Sequence, residues 1–190
     1  MQWTLTLPFV FLAACNSIPR ADEGGSGTQA ARANRATFYL GARKFDEDDW
    51  SPVEEQGVFG AEFSHRVGVI GWEVGFLAAA NEEREGGVKT EGSSSELYGG
   101  LRLEFGDDVI RPYIGAGVTA IATKLDVEGL DDDDDGTLAV YVHVGFTVDV
   151  TERVYLGLDA RGVFGSDVEV LGVDRDVDYG QLALALGFSF

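Results

Sequence analysis

From Thr37 onward the apolar positions recur at every second residue rather than every third or fourth, the period of strands with two unlike faces and not of amphipathic helices. The alternation, broken by turn-forming stretches, predicts eight strands over 36–45, 57–66, 70–80, 95–106, 110–123, 137–149, 153–165 and 178–190. One parity gathers Phe38, Leu40, Phe59, Val74, Phe76, Leu101, Ile114, Val118, Val140, Val142, Val144, Leu156 and Leu158. The other gathers Arg43, Glu62, Glu73, Arg102, Glu104, His143, Asp149, Asp159, Arg161 and Gln181, together with all six tyrosines and many Gly, Ala and Thr. The spacers alternate as well. Long polar stretches follow the first, third, fifth and seventh strands ("DEDDWSPVEEQ", "NEEREGGVKTEGSS", "KLDVEGLDDDDDG", "SDVEVLGVDRDVD"), and short ones ("RVGV", "GDDV", "VTER") follow the second, fourth and sixth. Long loops at one end and short turns at the other describe an up-and-down meander, and an even strand count returns both ends of the barrel to the short-turn side.

Periodicity alone does not say which face is inside. A soluble barrel points its apolar face inward and its charges to water; a membrane barrel does the reverse. A solvated sheet face carries many flexible charges, lysine above all. Here Lys44 and Lys124 stand at strand ends, and the polar face consists of small residues, tyrosines and a few charges of both signs. That composition suits a packed interior in which Gly and Ala make room for Arg, Glu and Tyr. The aliphatic, Phe-rich face then meets lipid, and closure removes the sheet edges that a hydrocarbon layer does not tolerate. The expected fold is all-β: a closed antiparallel up-and-down eight-stranded transmembrane β-barrel over 36–190. An eight-stranded interior is just wide enough for side chains. Arg43, Glu62, Glu73, Arg102, Glu104, Asp159 and Arg161 are therefore expected to pair in the bore, with a narrow conductive path as the alternative.

The final ten residues, "QLALALGFSF", place Leu182, Leu184, Leu186, Phe188 and Phe190 on one parity. This resembles the C-terminal signal of bacterial outer-membrane proteins, which in that family is read by the barrel assembly machinery. "RPYIGAGVTA" and "VTERVYLGLDARGVF" are similar to barrel segments of OmpA-like and opacity-like proteins. The resemblance implies a bacterial outer-membrane location, a wall surrounded by membrane lipid and lipopolysaccharide, and a monomer. It implies no residue-specific active site.

The first fifteen residues, "MQWTLTLPFVFLAAC", are apolar from Leu5 to Ala14. That run is shorter than the roughly 20 residues of a membrane-spanning helix and has the form of a secretory signal over 1–14, without its basic start. Leu12-Ala13-Ala14-Cys15 resembles the lipobox of bacterial lipoproteins, which implies lipidation of Cys15; ordinary signal cleavage with an incidental cysteine is the alternative. Residues 15–35 are small, polar and Gly-rich, the composition of a flexible linker.

With 14 Lys and Arg against 33 Asp and Glu the net charge is -19, which argues against nucleic acid as a partner. The single cysteine allows no internal disulfide. "DDDDDG" at 131–136 matches the opening of a calcium loop through Asp131, Asp133 and Asp135, but the twelfth position is Val142 rather than Glu. A weak calcium site and a solvated acidic loop both fit; no other cofactor is implied. His65 and His143 are the two histidines. Neither lies in the His-x-Ser-Asn arrangement of barrel lipid deacylases, and both are expected to be structural. The expected function is a non-enzymatic structural or surface-interaction role with acidic external loops; the alternatives are a narrow porin-like channel and a lipid-modifying enzyme.

Overall fold

In the computed structural model the described residues are 33–45, 53–85, 88–106, 109–127, 133–165, 167–170 and 173–190. The expected signal, the expected linker up to residue 32, Cys15 and Asp131 lie outside them; the last two residues read as linker, Asn34 and Arg35, belong instead to the first strand. Among the described residues ten strands form: β1 (Asn34–Phe45), β2 (Glu55–Val67), β3 (Ile70–Glu85), β4 (Val88–Glu104), β5 (Ile110–Val127), β6 (Asp133–Asp149), β7 (Val154–Phe164), β8 (Asp167–Val170), β9 (Val173–Asp176) and β10 (Tyr179–Ser189). Eight of them close an antiparallel barrel in the order β1-β10-β7-β6-β5-β4-β3-β2, while β8 and β9 pair as a separate hairpin. The expected eight-stranded barrel is therefore present. The hairpin is an addition, formed inside the stretch read as the last long loop.

The seam joins the first and last barrel strands from Arg35↔Ser189 to Phe45↔Tyr179. Beyond it the backbones of Asn34 and Phe190 exchange hydrogen bonds of 3.2 and 2.9 Å. The apolar run of β10 is thus one half of the closure. Leu40 pairs with Leu184, Phe38 with Leu186 and Ala36 with Phe188 on the outer face. Phe188→Asp, or deletion of Phe190, is expected to lower the level of assembled protein in outer-membrane fractions, read as loss of the fast-migrating unboiled band on detergent gels. Unchanged levels in both variants would contradict a role for this strand in assembly.

Several strand ends differ from expectation. β3 and β4 remain paired out to Glu85↔Val88, and β5 and β6 out to Leu125↔Asp133. Stretches read as loops over 81–94 and 124–136 are largely ladder. A backbone ladder does not need an apolar side chain at every second position, and here the flanking strands extend together and supply each other's hydrogen-bond partners. Asp133 and Asp135 accordingly lie in extended β6, opposite Leu125 and Thr123, and not in a coiled loop. At the other end the turns are tight. Gly68 adopts φ +66 between Val67 and Ile70, the left-handed conformation that two-residue hairpin loops require.

The outer wall is apolar: Leu40 is 67% exposed and Leu184 63%, and Phe59, Leu101, Val118 and Val140 are exposed alongside them. Near the short-turn end aromatic rings cluster. Phe63 lies 5.4 Å from Trp72 and 6.3 Å from Phe190, like the aromatic girdles that mark membrane interfaces. Behind this apolar wall the charged side chains of the strands point inward.

Candidate functional site

The bore is a stack of three charged layers. Alternation turns every second residue inward, and the tyrosines fit because glycines face them across the ladder. Gly75 pairs with Tyr98 and Gly187 with Tyr155. A Cβ on Gly187 would lie 2.1 Å from Tyr155 Cζ, whereas one on Gly180 of the same strand would meet nothing within 4 Å. Gly187→Ala is therefore expected to cost about 1–3 kcal/mol, the usual penalty of overpacking, and Gly180→Ala close to nothing. Urea unfolding of the two variants in one detergent checks this; equal stabilities would mean that the Tyr155 ring has room to move.

The layer nearest the short turns centres on Glu104. It accepts two hydrogen bonds from Arg35, one of them 2.9 Å, and a third from Arg66 at 3.1 Å. Arg111 Nε stands 3.6 Å away while its Nη2 pairs with Asp149. A cavity beside this layer, lined in part by Arg35, Arg66, Arg102 and Glu104, measures about 10 Å³, the space of a single water.

The middle layer turns on Arg102. Its Nη2 lies 2.9 Å from Glu62 Oε1 and its Nε 2.7 Å from Glu73 Oε2, with the guanidinium carbon 4.3 Å from the Tyr113 ring centre. Tyr39 and Tyr98 donate to Glu62 at 3.1 and 3.0 Å. Tyr141 donates to Glu73 at 2.7 Å and Tyr113 to Asp159 at 2.8 Å. His143 bridges the two acids, with Nε2 2.9 Å from Glu73 and Nδ1 2.8 Å from Asp159.

The third layer surrounds Glu96, whose ladder partners are Leu77 and Ile121. With apolar residues on both sides its charge must be met from across the bore. Arg43 and Arg161 each reach it at 2.8 Å, and the Tyr179 hydroxyl donates to it as well. Arg43 lies 3.8 Å over the Tyr179 ring, and Arg161 sits 3.9 and 4.5 Å from Tyr98 and Tyr141. Around and beyond this layer Phe45, Val53, Val58, Leu77, Ile121, Val163 and Val177 are all buried. With the buried Gln56, Ser94 and Thr123 among them, they form a mostly apolar cap at the long-loop end of the barrel.

All seven expected bore residues are buried; six of them form arginine–carboxylate pairs, and Asp159 meets His143 and the Tyr113 hydroxyl. Glu104 and Arg102, two apart on one face of β4, do not pair with each other: Glu104 meets Arg35, Arg66 and Arg111 instead. Glu96, Arg35 and Arg111 were not foreseen, nor was the cap. Parity was the available signal, since Glu96 shares it with Tyr98 and Arg102, and Arg35 with Thr37 and Tyr39. His65 stands apart near the short turns, with Nδ1 2.8 Å from Asn34 Oδ1. Among the described residues no group of three or more His, Cys, Asp or Glu is arranged to hold a metal ion.

Residues 9–190 match the family described as the outer membrane protein beta-barrel domain. No curated protein matches the sequence. Among solved structures the fold is similar to Neisserial surface protein A, with a TM-score of 0.60 at 17% identity, covering 83% of this chain and 96% of that one. It is similar to Ail, the attachment invasion locus protein of Yersinia pestis, in complex with the heparin analogue sucrose octasulfate (TM-score 0.54, 10% identity, 83% and 96% covered). It also resembles the N-terminal β-barrel domain of Pseudomonas aeruginosa OprF (TM-score 0.51, 14% identity, 84% and 99% covered). At these identities the likeness is one of fold.

Proposed function

The chain belongs to the outer membrane protein β-barrel family and resides in the bacterial outer membrane, and from that premise we propose that it is a non-enzymatic barrel with a structural or surface-interaction role. The observation that carries this reading is the filled bore. Glu104, Glu62, Glu73, Asp159 and Glu96 are each met by cationic or tyrosine partners, and the apolar cap lies over the last of them. A side-chain-filled interior is a support and not a conduit. What distinguishes one end is the height of β3 to β6, which continue past the cap as a polar, largely acidic wall. In this family the short turns face the periplasm and the long connections the exterior, so the wall stands at the cell surface. The closed sheet offers no free edge for strand addition, which supports a monomer in lipid and lipopolysaccharide whose last strand is read by the barrel assembly machinery.

Overproduction in cells tests the reading. External protease on intact cells is expected to cut the chain at the β3–β6 end, and mass analysis of outer-membrane lipids is expected to be unchanged. A new deacylated or transferred lipid species that requires the protein would make it an enzyme; protection from external protease would remove the surface role.

A further inference from the structure

His143 has more acid around it than a neutral ring can satisfy. Both ring nitrogens stand close to a carboxylate oxygen: Nδ1 is hydrogen-bonded to Asp159 at 2.8 Å, and Nε2, a buried nitrogen with no aligned hydrogen bond, lies 2.9 Å from Glu73. A neutral imidazole carries one N–H, so its bare nitrogen would face an oxygen lone pair. Nothing else fills that gap. The side chain is fully enclosed, and Gly115 opposite it leaves no space: a Cβ there would stand 2.1 Å from Nε2. The local charge count agrees. The middle and upper layers hold four carboxylates, Glu62, Glu73, Glu96 and Asp159, against three guanidiniums, Arg43, Arg102 and Arg161. The surplus arginine that balances the bore as a whole lies in the layer nearest the short turns, where Arg35, Arg66 and Arg111 face Glu104 and Asp149.

We propose that His143 is an imidazolium at neutral pH, the fourth cation of the middle and upper layers, and that this single removable proton locks β3 to β7 across the lumen, so that alkali opens the lock. The groups facing the ring are Glu73 from β3, Tyr113 from β5, Tyr141 on its own β6, and Asp159 and Arg161 from β7. Arg102 on β4 and Glu62 on β2 complete the network behind Glu73. The arginines keep their charge and the tyrosines are neutral donors. Once the ring is neutral, one carboxylate of the pair loses its charged partner in a site closed to water.

Nitrogen NMR of the full chain, ring-labelled at histidine and refolded in detergent micelles, reads the charge directly. At pH 7 both ring nitrogens of His143 are expected to carry protons and to couple to them. Raising the pH is expected to remove one of them in the same range in which amides of β6 and β7 lose exchange protection beyond the intrinsic rise. His143→Gln, which keeps His65, assigns the resonance. That variant is also expected to raise the unfolding equilibrium constant on the order of a hundredfold or more, and adding Asp159→Asn to restore much of the loss by removing the excess negative charge. A single neutral tautomer at pH 7 would overturn the proposal even if the variants do not fold. So would loss of the ring proton with no change in β6 and β7 protection, or a double variant weaker than either single one by the full sum.

Discussion

Arg102→Leu is expected to destabilise the barrel by about 3–5 kcal/mol, the usual cost of stripping one partner from a buried ion pair. Arg102 is the shared cation of Glu62 and Glu73, at 2.9 and 2.7 Å, and both acids are buried. Tyr39, Tyr98 and Tyr141 would still donate to them and His143 would still stand 2.9 Å from Glu73, but neutral hydroxyls do not cancel the charge of Glu62, and His143 is shared between Glu73 and Asp159, in a site where both Glu62 and Glu73 are buried. The destabilisation comes from the abandoned acids more than from the lost arginine. Arg102→Leu combined with Glu62→Gln and Glu73→Gln is therefore expected to recover a large part of the loss. Urea unfolding of all variants in one detergent, followed by tryptophan fluorescence, measures it. Equal stability of wild type and Arg102→Leu would mean that lumen water already screens these charges.

Leu184→Arg is expected to cost about 2–4 kcal/mol in a bilayer, the depth-dependent price of a lipid-facing arginine near the midplane. Leu184 lies halfway along β10, 63% exposed, between Leu40 and Leu158. Its neighbours Ala183 and Ala185 point inward and are buried. A soluble barrel of the same shape would accept an arginine at so exposed a position with almost no penalty. The contrast between refolding in lipid vesicles and in detergent separates the two: a penalty of this size in vesicles places the wall in hydrocarbon, and none would place it in water.

Period and parity made the wall legible. Phe38, Leu40, Leu184 and Leu186 alternate with Thr37, Tyr39, Ala183 and Ala185, and a slip of one residue would have reversed every one of them. Sidedness was legible too, from scarce lysine and from tyrosines that share a parity with glycine. The upper rim was not. In "EGSSSE" and around "DDDDDGT" polar residues occupy both parities, so nothing marks where the ladder stops. Val58, Leu77, Ile121 and Val163 point inward against the rule that apolar means outward, because above the ion pairs the barrel holds a small apolar core of its own. The choice of partners was hidden for a geometric reason. Arg43 meets Glu96 53 positions away and Arg161 meets it 65 away. Such pairings depend on strand tilt and stagger, which alternation does not encode.

The central claim is that the bore is closed by its own side chains, and current through a planar bilayer tests it most directly. Purified full-length protein, inserted into a lipid bilayer at neutral pH and shown by gel mobility to be folded, is expected to give no steady single-channel openings across a wide voltage range. Glu96→Ala with Arg43→Ala, which removes the layer beneath the cap, is expected to begin to leak. Regular, ion-selective openings from the wild-type protein, scaling with the amount inserted, would contradict a side-chain-filled bore and make the protein a channel.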